Sequence, residues 1–191
     1  MTRQFKNPPE VRIIGGQWRG RKLPFKVADG LRPTGDRTRE MLFNWLQWDV
    51  RGSRCLDLFA GSGALGFEAA SRGADFVALI DADRETAALL EQNRQTLDAK
   101  HIDVCHTRAE DYLHSIDQPF DIVFVDPPFA EQVAASICDA LRQSDALHAR
   151  SLIYVETPKS LEFEAPKNWR IHKHRTIAQI NAHLYTCDAD V

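Results

Sequence analysis

The 191-residue chain has no Cys-x-x-Cys pair; its four cysteines, Cys55, Cys105, Cys138 and Cys187, stand 50, 33 and 49 residues apart. That spacing fits neither a zinc ribbon nor a disulfide framework, so reduced, buried thiols and no metal centre are expected. No uninterrupted apolar run approaches the eighteen residues of a membrane span. The first ten residues, MTRQFKNPPE, are polar and hold two prolines, which is not the pattern of a secretory signal. The expectation is a cytoplasmic protein with no membrane partner. Strong net charge is also missing, at −3 overall. The balance is uneven, however: residues 1–40 hold ten Lys/Arg against four Asp/Glu, a net +6, and the remainder carries −9. A basic arm on an acidic body suits a polyanionic partner such as RNA, although a solvated tail has the same composition.

What is present is an ordinary globular composition, 43% hydrophobic and 27% charged, of single-domain length. From residue 54 short apolar runs alternate with helical stretches. RCLDLFA, FVALIDAD, DVCHT, FDIVFVD and SLIYVET read as strands. Residues 64–72, 84–98, 109–116 and 131–143 read as the intervening helices. Such alternation predicts an α/β fold with a mostly parallel sheet covered on both faces. After Pro166 the period changes to two, and WRIHKHRTI with QINAHLYTC predicts a C-terminal antiparallel hairpin. His172 and His174 on that hairpin lack further metal ligands. Upstream, VRIIGGQWRGRKLPF predicts a small hairpin with a Gly15-Gly16 turn or bend, and Thr38–Trp48 a helix. Residues 1–50 are therefore expected to form a basic extension and residues 51–191 the main α/β domain.

The stretch LDLFAGSGALG carries Gly61-x-Gly63-x-x-Gly66, and Asp81 follows twenty residues after Gly61. Spacing alone is that of a dinucleotide site, and a nicotinamide oxidoreductase is the rival reading. A carboxylate after the second strand suits the ribose diol of either NAD or S-adenosylmethionine. Asp57 separates the two: it lies in an apolar strand just before the loop, where it would repel a pyrophosphate and attract a cationic amino acid moiety. Hydrogen bonding of Asp57 to amides of its own turn is the competing, local explanation. Asp126-Pro127-Pro128-Phe129, ending another apolar strand, has no part in hydride transfer. The Asp126 carboxylate and Pro127 carbonyl can accept the hydrogens of an exocyclic aryl amine and turn its lone pair towards a methyl donor. The prolines fix the chain direction, and Phe129 offers a stacking face. A bare strand-ending turn is the plainer alternative. Arg12, Arg19, Arg21 and Lys22 around Trp18 combine phosphate-neutralising charge with a flat ring, unless Trp18 instead packs the hairpin on the body.

These residues resemble the bacterial 16S ribosomal RNA guanine-N2 methyltransferases that modify the loop of small-subunit helix 31. The similarity runs from VRIIGGQWRGRKLP through LRPTGDRTREMLFNWL, LDLFAGSGALGFEA, LIDADR and IVFVDPPF to LIYVE. The glycine loop and DPPF mark only amino-methyltransferases at large; the two N-terminal stretches narrow the resemblance. It implies a class I, Rossmann-like S-adenosylmethionine-dependent fold with a seven-stranded sheet. It further implies that Phe59, Gly61, Gly63 and Gly66 hold the cofactor, with Asp57 on its amino group and Asp81 on its ribose. Arg32, Thr34 and Arg37 would close over it, and the Ala109 backbone or neighbouring Glu110 would meet its adenine, since Arg108 replaces the Asn or Asp often found before that position. The target would sit on Asp126 to Phe129. The implied substrate is 16S rRNA in the small subunit or a late assembly particle, met by a monomer. DNA adenine N6 and protein glutamine amides are the alternative sp2 amines.

Overall fold

The computed structural model describes residues 8–27, 35–128 and 131–187. Strands β1 (Glu10–Arg12) and β2 (Lys22–Pro24) pair antiparallel as the N-terminal hairpin. Then follow α1 (Asp36–Trp45), β3 (Arg54–Asp57), α2 (Ala64–Ser71), β4 (Phe76–Asp81), α3 (Arg84–Thr96) and β5 (Ile102–His106). The second half contains α4 (Ala109–Leu113), β6 (Phe120–Val125), α5 (Glu131–Gln143), β7 (Leu147–Pro158), β8 (Trp169–Ile177) and β9 (Ile180–Cys187).

Seven strands form one sheet in the order β5-β4-β3-β6-β7-β9-β8. The first five are parallel, while β9 runs antiparallel between β7 and β8. The anticipated α/β, Rossmann-like sheet with its C-terminal hairpin is therefore present. Continuous apolar runs make the central strands because both sheet faces are covered. Cys55, Val77, Leu79, Phe124 and Tyr154 face one core with α1, α2 and α3; Leu56, Ile80, Val123, Val125 and Ile153 face the other with α4 and α5. The chain goes outward from β3 to β5 and then returns to β6 on the opposite side. That reversal leaves a crevice beyond the carboxyl ends of β3 and β6, where open α/β sheets bind ligands.

Several boundaries shift from expectation. Strand β3 stops at Asp57, and beyond it Leu58 and Ala60 still give their N–H groups to Phe124 and Ile80 as the chain turns into the glycine loop. Strand β7 begins four residues early, at Leu147, since the Ser151 hydroxyl donates to the Phe120 carbonyl and bridges an irregularity in the ladder. Helix α1 occupies Asp36–Trp45 instead of Thr38–Trp48.

The N-terminal hairpin bends at Gly15-Gly16, as expected, and the turn that reverses the chain follows over residues 17–20. Its nine-residue connection lies against α2, with the Ile14 and Gly15 N–H groups donating to Glu68 at 2.7 and 2.8 Å. Gly16 adopts φ +74°, and a Cβ there would sit 1.8 Å from the Ser71 carbonyl oxygen. Glycine is needed for that approach. Val11, Ile13, Leu23 and Phe25 of this segment join the core of the main sheet.

Candidate functional site

A cavity of about 490 Å³ fills the crevice at the sheet's carboxyl end. It is bounded by the start of α1, the loop after β3, Asp126 to Pro128 after β6, the end of β7, and the β8–β9 turn. A more open depression of about 630 Å³ lies at the opposite end of the sheet, near Arg51, Asp121 and His148. The crevice has the better claim, since it is where strand ends converge.

The glycines divide the work. Gly61 has φ +50° and lines the cavity. Gly63 caps α2 in the left-handed region, φ +75°, and a Cβ would strike the Phe67 ring. Gly66 lies inside α2, where a Cβ would come within 2.0 Å of the Leu79 Cδ2 atom. Gly63 and Gly66 thus set the approach of α2 to β4, and Gly61 with Phe59 presents the loop to the cavity. Asp81 holds that loop: its carboxylate accepts from the Gly61 N–H at 2.9 Å and the Asp83 N–H at 2.8 Å. Neither Asp81 nor Ala109 is among the cavity-lining residues; Ala109 is buried as the first residue of α4.

Asp57 is 1% exposed and lines the cavity. Its Oδ2 accepts from the Gly66 N–H at 3.1 Å, which supplies α2 with the acidic group its first turn lacks. Its Oδ1 has no hydrogen-bond partner among the described residues. Burial first, then the nearby Asp126 charge, push this carboxyl up to about 7 against the pull of the Gly66 and Phe59 amides. Amides of its own turn, Gly66 and Phe59, therefore act on this carboxylate, while Oδ1 makes no hydrogen bond among the described residues.

Asp126, Pro127 and Pro128 line the same cavity, and Phe129 lies outside the described residues. Arg32 and Thr34 also lie outside them, whereas Arg37 lines the cavity at the start of α1. That end of α1 is fixed by Arg39, 1% exposed, which donates to the Arg12 carbonyl at 3.0 Å and the Asp36 carboxylate at 2.6 Å. Sequence reasoning passed over Arg39 because one arginine among seven in the basic segment 1–40 looks like surface. It also passed over Glu156, 8% exposed at the end of β7, whose carboxyl burial and the Asp126 charge push up to about 8. The available signal was an acidic residue closing an apolar run, as in Asp57 and Asp126. Among the described lining residues, Asp36, Asp57, Asp126 and Glu156 face one cation, Arg37.

On the hairpin, Trp18 is partly buried and stacks on His101, with ring centroids 5.8 Å apart. The indole packs the hairpin on the body. Arg12, Arg19, Arg21 and Lys22 remain exposed, with Arg12 near Asp36 and Lys22 near Glu10, each at 3.4 Å.

Residues 11–186 match the model of the family described as conserved hypothetical protein 95. The chain belongs to this family. It is 46% identical over 180 residues to ribosomal RNA small subunit methyltransferase D of Haemophilus influenzae, covering 92% of this chain and 93% of that one. The protein of the same name from Escherichia coli K12 is 44% identical, with 94% and 91% covered. A solved Escherichia coli structure, provisionally described as a methyltransferase, superposes with a TM-score of 0.85 at 44% identity, covering 95% of this chain and all of the other. The family member described here thus has the class I methyltransferase fold, and the resemblance read from its motifs holds.

Proposed function

We propose that this family member is an S-adenosylmethionine-dependent ribosomal RNA methyltransferase acting on the exocyclic N2 of a guanine in 16S rRNA, in the helix 31 loop. The observation that carries the reading is the buried, half-partnered Asp57 sharing one acidic cavity with Asp126-Pro127-Pro128. A pyrophosphate would meet carboxylates there, so the oxidoreductase reading loses its ligand. A cationic donor fits. The names of the relatives support rRNA as substrate, and a cytoplasmic location agrees with it.

S-adenosylmethionine would supply an activated methyl carbon on a sulfonium. Asp57 Oδ1 would hold its ammonium, Phe59 and Gly61 its methionine portion, and Arg37 its carboxylate. Asp81 would reach the ribose with lone pairs not used by the loop, and the Ala109 backbone would meet the adenine. Arg32 and Thr34 belong to the same closing segment, and Phe129 would stack on the base. Asp126 and the Pro127 carbonyl accept the two hydrogens of the target amine, raising its lone pair out of conjugation. Pro127 and Pro128 carry no N–H that could compete. No strong base is required, because the amine's proton is acidic once alkylation begins. Positioning and charge complementarity then supply the acceleration. Arg12, Arg19, Arg21 and Lys22 would neutralise rRNA phosphates, with the small subunit or a late assembly particle as the partner of a monomer.

The test is methyl transfer from labelled cofactor to purified small subunits, with mass analysis of the nucleoside. The expected product is N2-methylguanosine; another methylated nucleoside would refute the base assignment, and a methylated DNA adenine or glutamine would replace the substrate. Asp126→Ala should lower kcat at least 100-fold while S-adenosylhomocysteine binds within about threefold of wild type.

A further inference from the structure

We infer that Glu156 is a specificity-determining residue that accepts the N1–H of the target guanine beside the amine held by Asp126. The inference rests on the guanine-N2 reading.

Parallel strands β6 and β7 pair Val125 with Val155, so Asp126 and Glu156 are the next residues on adjacent strands. Phe124 and Tyr154, two residues earlier, face the same core, which places Asp126 and Glu156 on the same sheet face. Both line the cavity. Two carboxylates side by side, Glu156 buried and Asp126 half-buried, repel each other unless donors lie between them. The Tyr154 hydroxyl donates to Glu156 Oε2 at 2.8 Å, and Oε1 has no hydrogen bond among the described residues. Thr157 and Asp57, each 1% exposed and both lining the cavity, also hold a polar atom without a partner among the described residues. The cavity is therefore built for a polar occupant.

Position assigns Glu156 to the base and not to the cofactor. Sheet order is β3, β6, β7, so Asp126 stands between Asp57 and Glu156. Two strand spacings, roughly 10 Å, separate the ends of β3 and β7. A donor seated on Asp57 leaves the Glu156 side for the acceptor. Guanine presents two adjacent donors there, N2–H and N1–H, which match two adjacent carboxylates and draw Glu156 back to its ionised form. Adenine offers one amine next to an N1 lone pair, which a carboxylate repels.

The experiment compares reconstituted small subunits that carry guanine or 2-aminopurine at the methylated position; 2-aminopurine keeps the amine and lacks N1–H. Wild type should prefer guanine by about 100-fold in kcat/KM, the scale of one hydrogen bond to a charged group. Glu156→Gln should bring that preference within about tenfold, with unchanged S-adenosylhomocysteine affinity certifying the fold. Tyr154→Phe, which keeps the carboxylate, should retain most of the preference. An active Glu156→Gln enzyme with an undiminished preference overturns the inference alone, as does a preference that vanishes with the Tyr154 hydroxyl. Wild type that leaves guanine N2 unmethylated overturns the function and the inference together.

Discussion

Asp57 joins stability and binding in one side chain. Its carboxyl is pushed up to about 7 chiefly by burial, from an ordinary value of 3.8. A carboxyl whose folded value is raised stabilises the fold below pH 3.8 and loses that contribution as pH rises through about 7. Glu156, pushed up to about 8, acts in the same direction. The cofactor-free protein should therefore lose stability from pH 5 to pH 8, and Asp57→Asn should flatten that decline and raise Tm at pH 8. Thermal melts across this range check the sign; a variant less stable than wild type at pH 8 contradicts it. Cofactor affinity should move the other way, rising with pH as Asp57 ionises to meet an ammonium. Asp57→Asn should weaken S-adenosylhomocysteine binding by roughly 10- to 100-fold, measured by calorimetry at pH 8. One residue thus trades folding stability for ligand charge.

Strand ends were the legible elements. LDLF, LIDAD and FVDPP announced their strands by continuous apolar runs and their sites by the acids closing them. LIYVET obeys the same rule, yet Glu156 drew no attention, because its neighbour across the sheet is not adjacent in sequence. The hairpin was legible as two strands but not as a docked element. The Gly15-Gly16 pair bends the chain as its composition suggests, but its close contact with α2 was not legible, and Glu68 reads as an ordinary helix-surface acid although it is fully buried. Glu68 accepts from Ile14, Gly15 and Arg72, the last at 2.7 Å. Glu68→Ala should destabilise the protein by about 2–4 kcal/mol and expose residues 13–21 to protease. Denaturant titration and limited proteolysis test both parts; an intact hairpin at wild-type stability would refute the docking role. Gly66→Ala should cost about 1–3 kcal/mol, since its Cβ meets Leu79 in a packed core.

The whole molecule sets a basic hairpin beside an acidic crevice. Lys26, at the hairpin's end, is held by Asp83 and Glu85 at 3.1 and 2.8 Å, which fixes one border between the two fields. Arg19 and Arg21 are exposed with no carboxylate partner among the described residues, so they are the cations most open to phosphate. Arg19→Ala and Arg21→Ala should each reduce the slope of log affinity against log salt by about 1 for small-subunit RNA, without altering cofactor binding. Unchanged slopes would move the RNA footprint elsewhere. The central claim, a cationic donor on Asp57 with its reactive end towards Asp126, is tested most directly by a crystal structure with S-adenosylhomocysteine. The account predicts its amino group within hydrogen-bond distance of Asp57 Oδ1 and its sulfur facing the Asp126–Pro127 turn. A ligand seated outside this crevice, or with its adenine against Asp57, would contradict it.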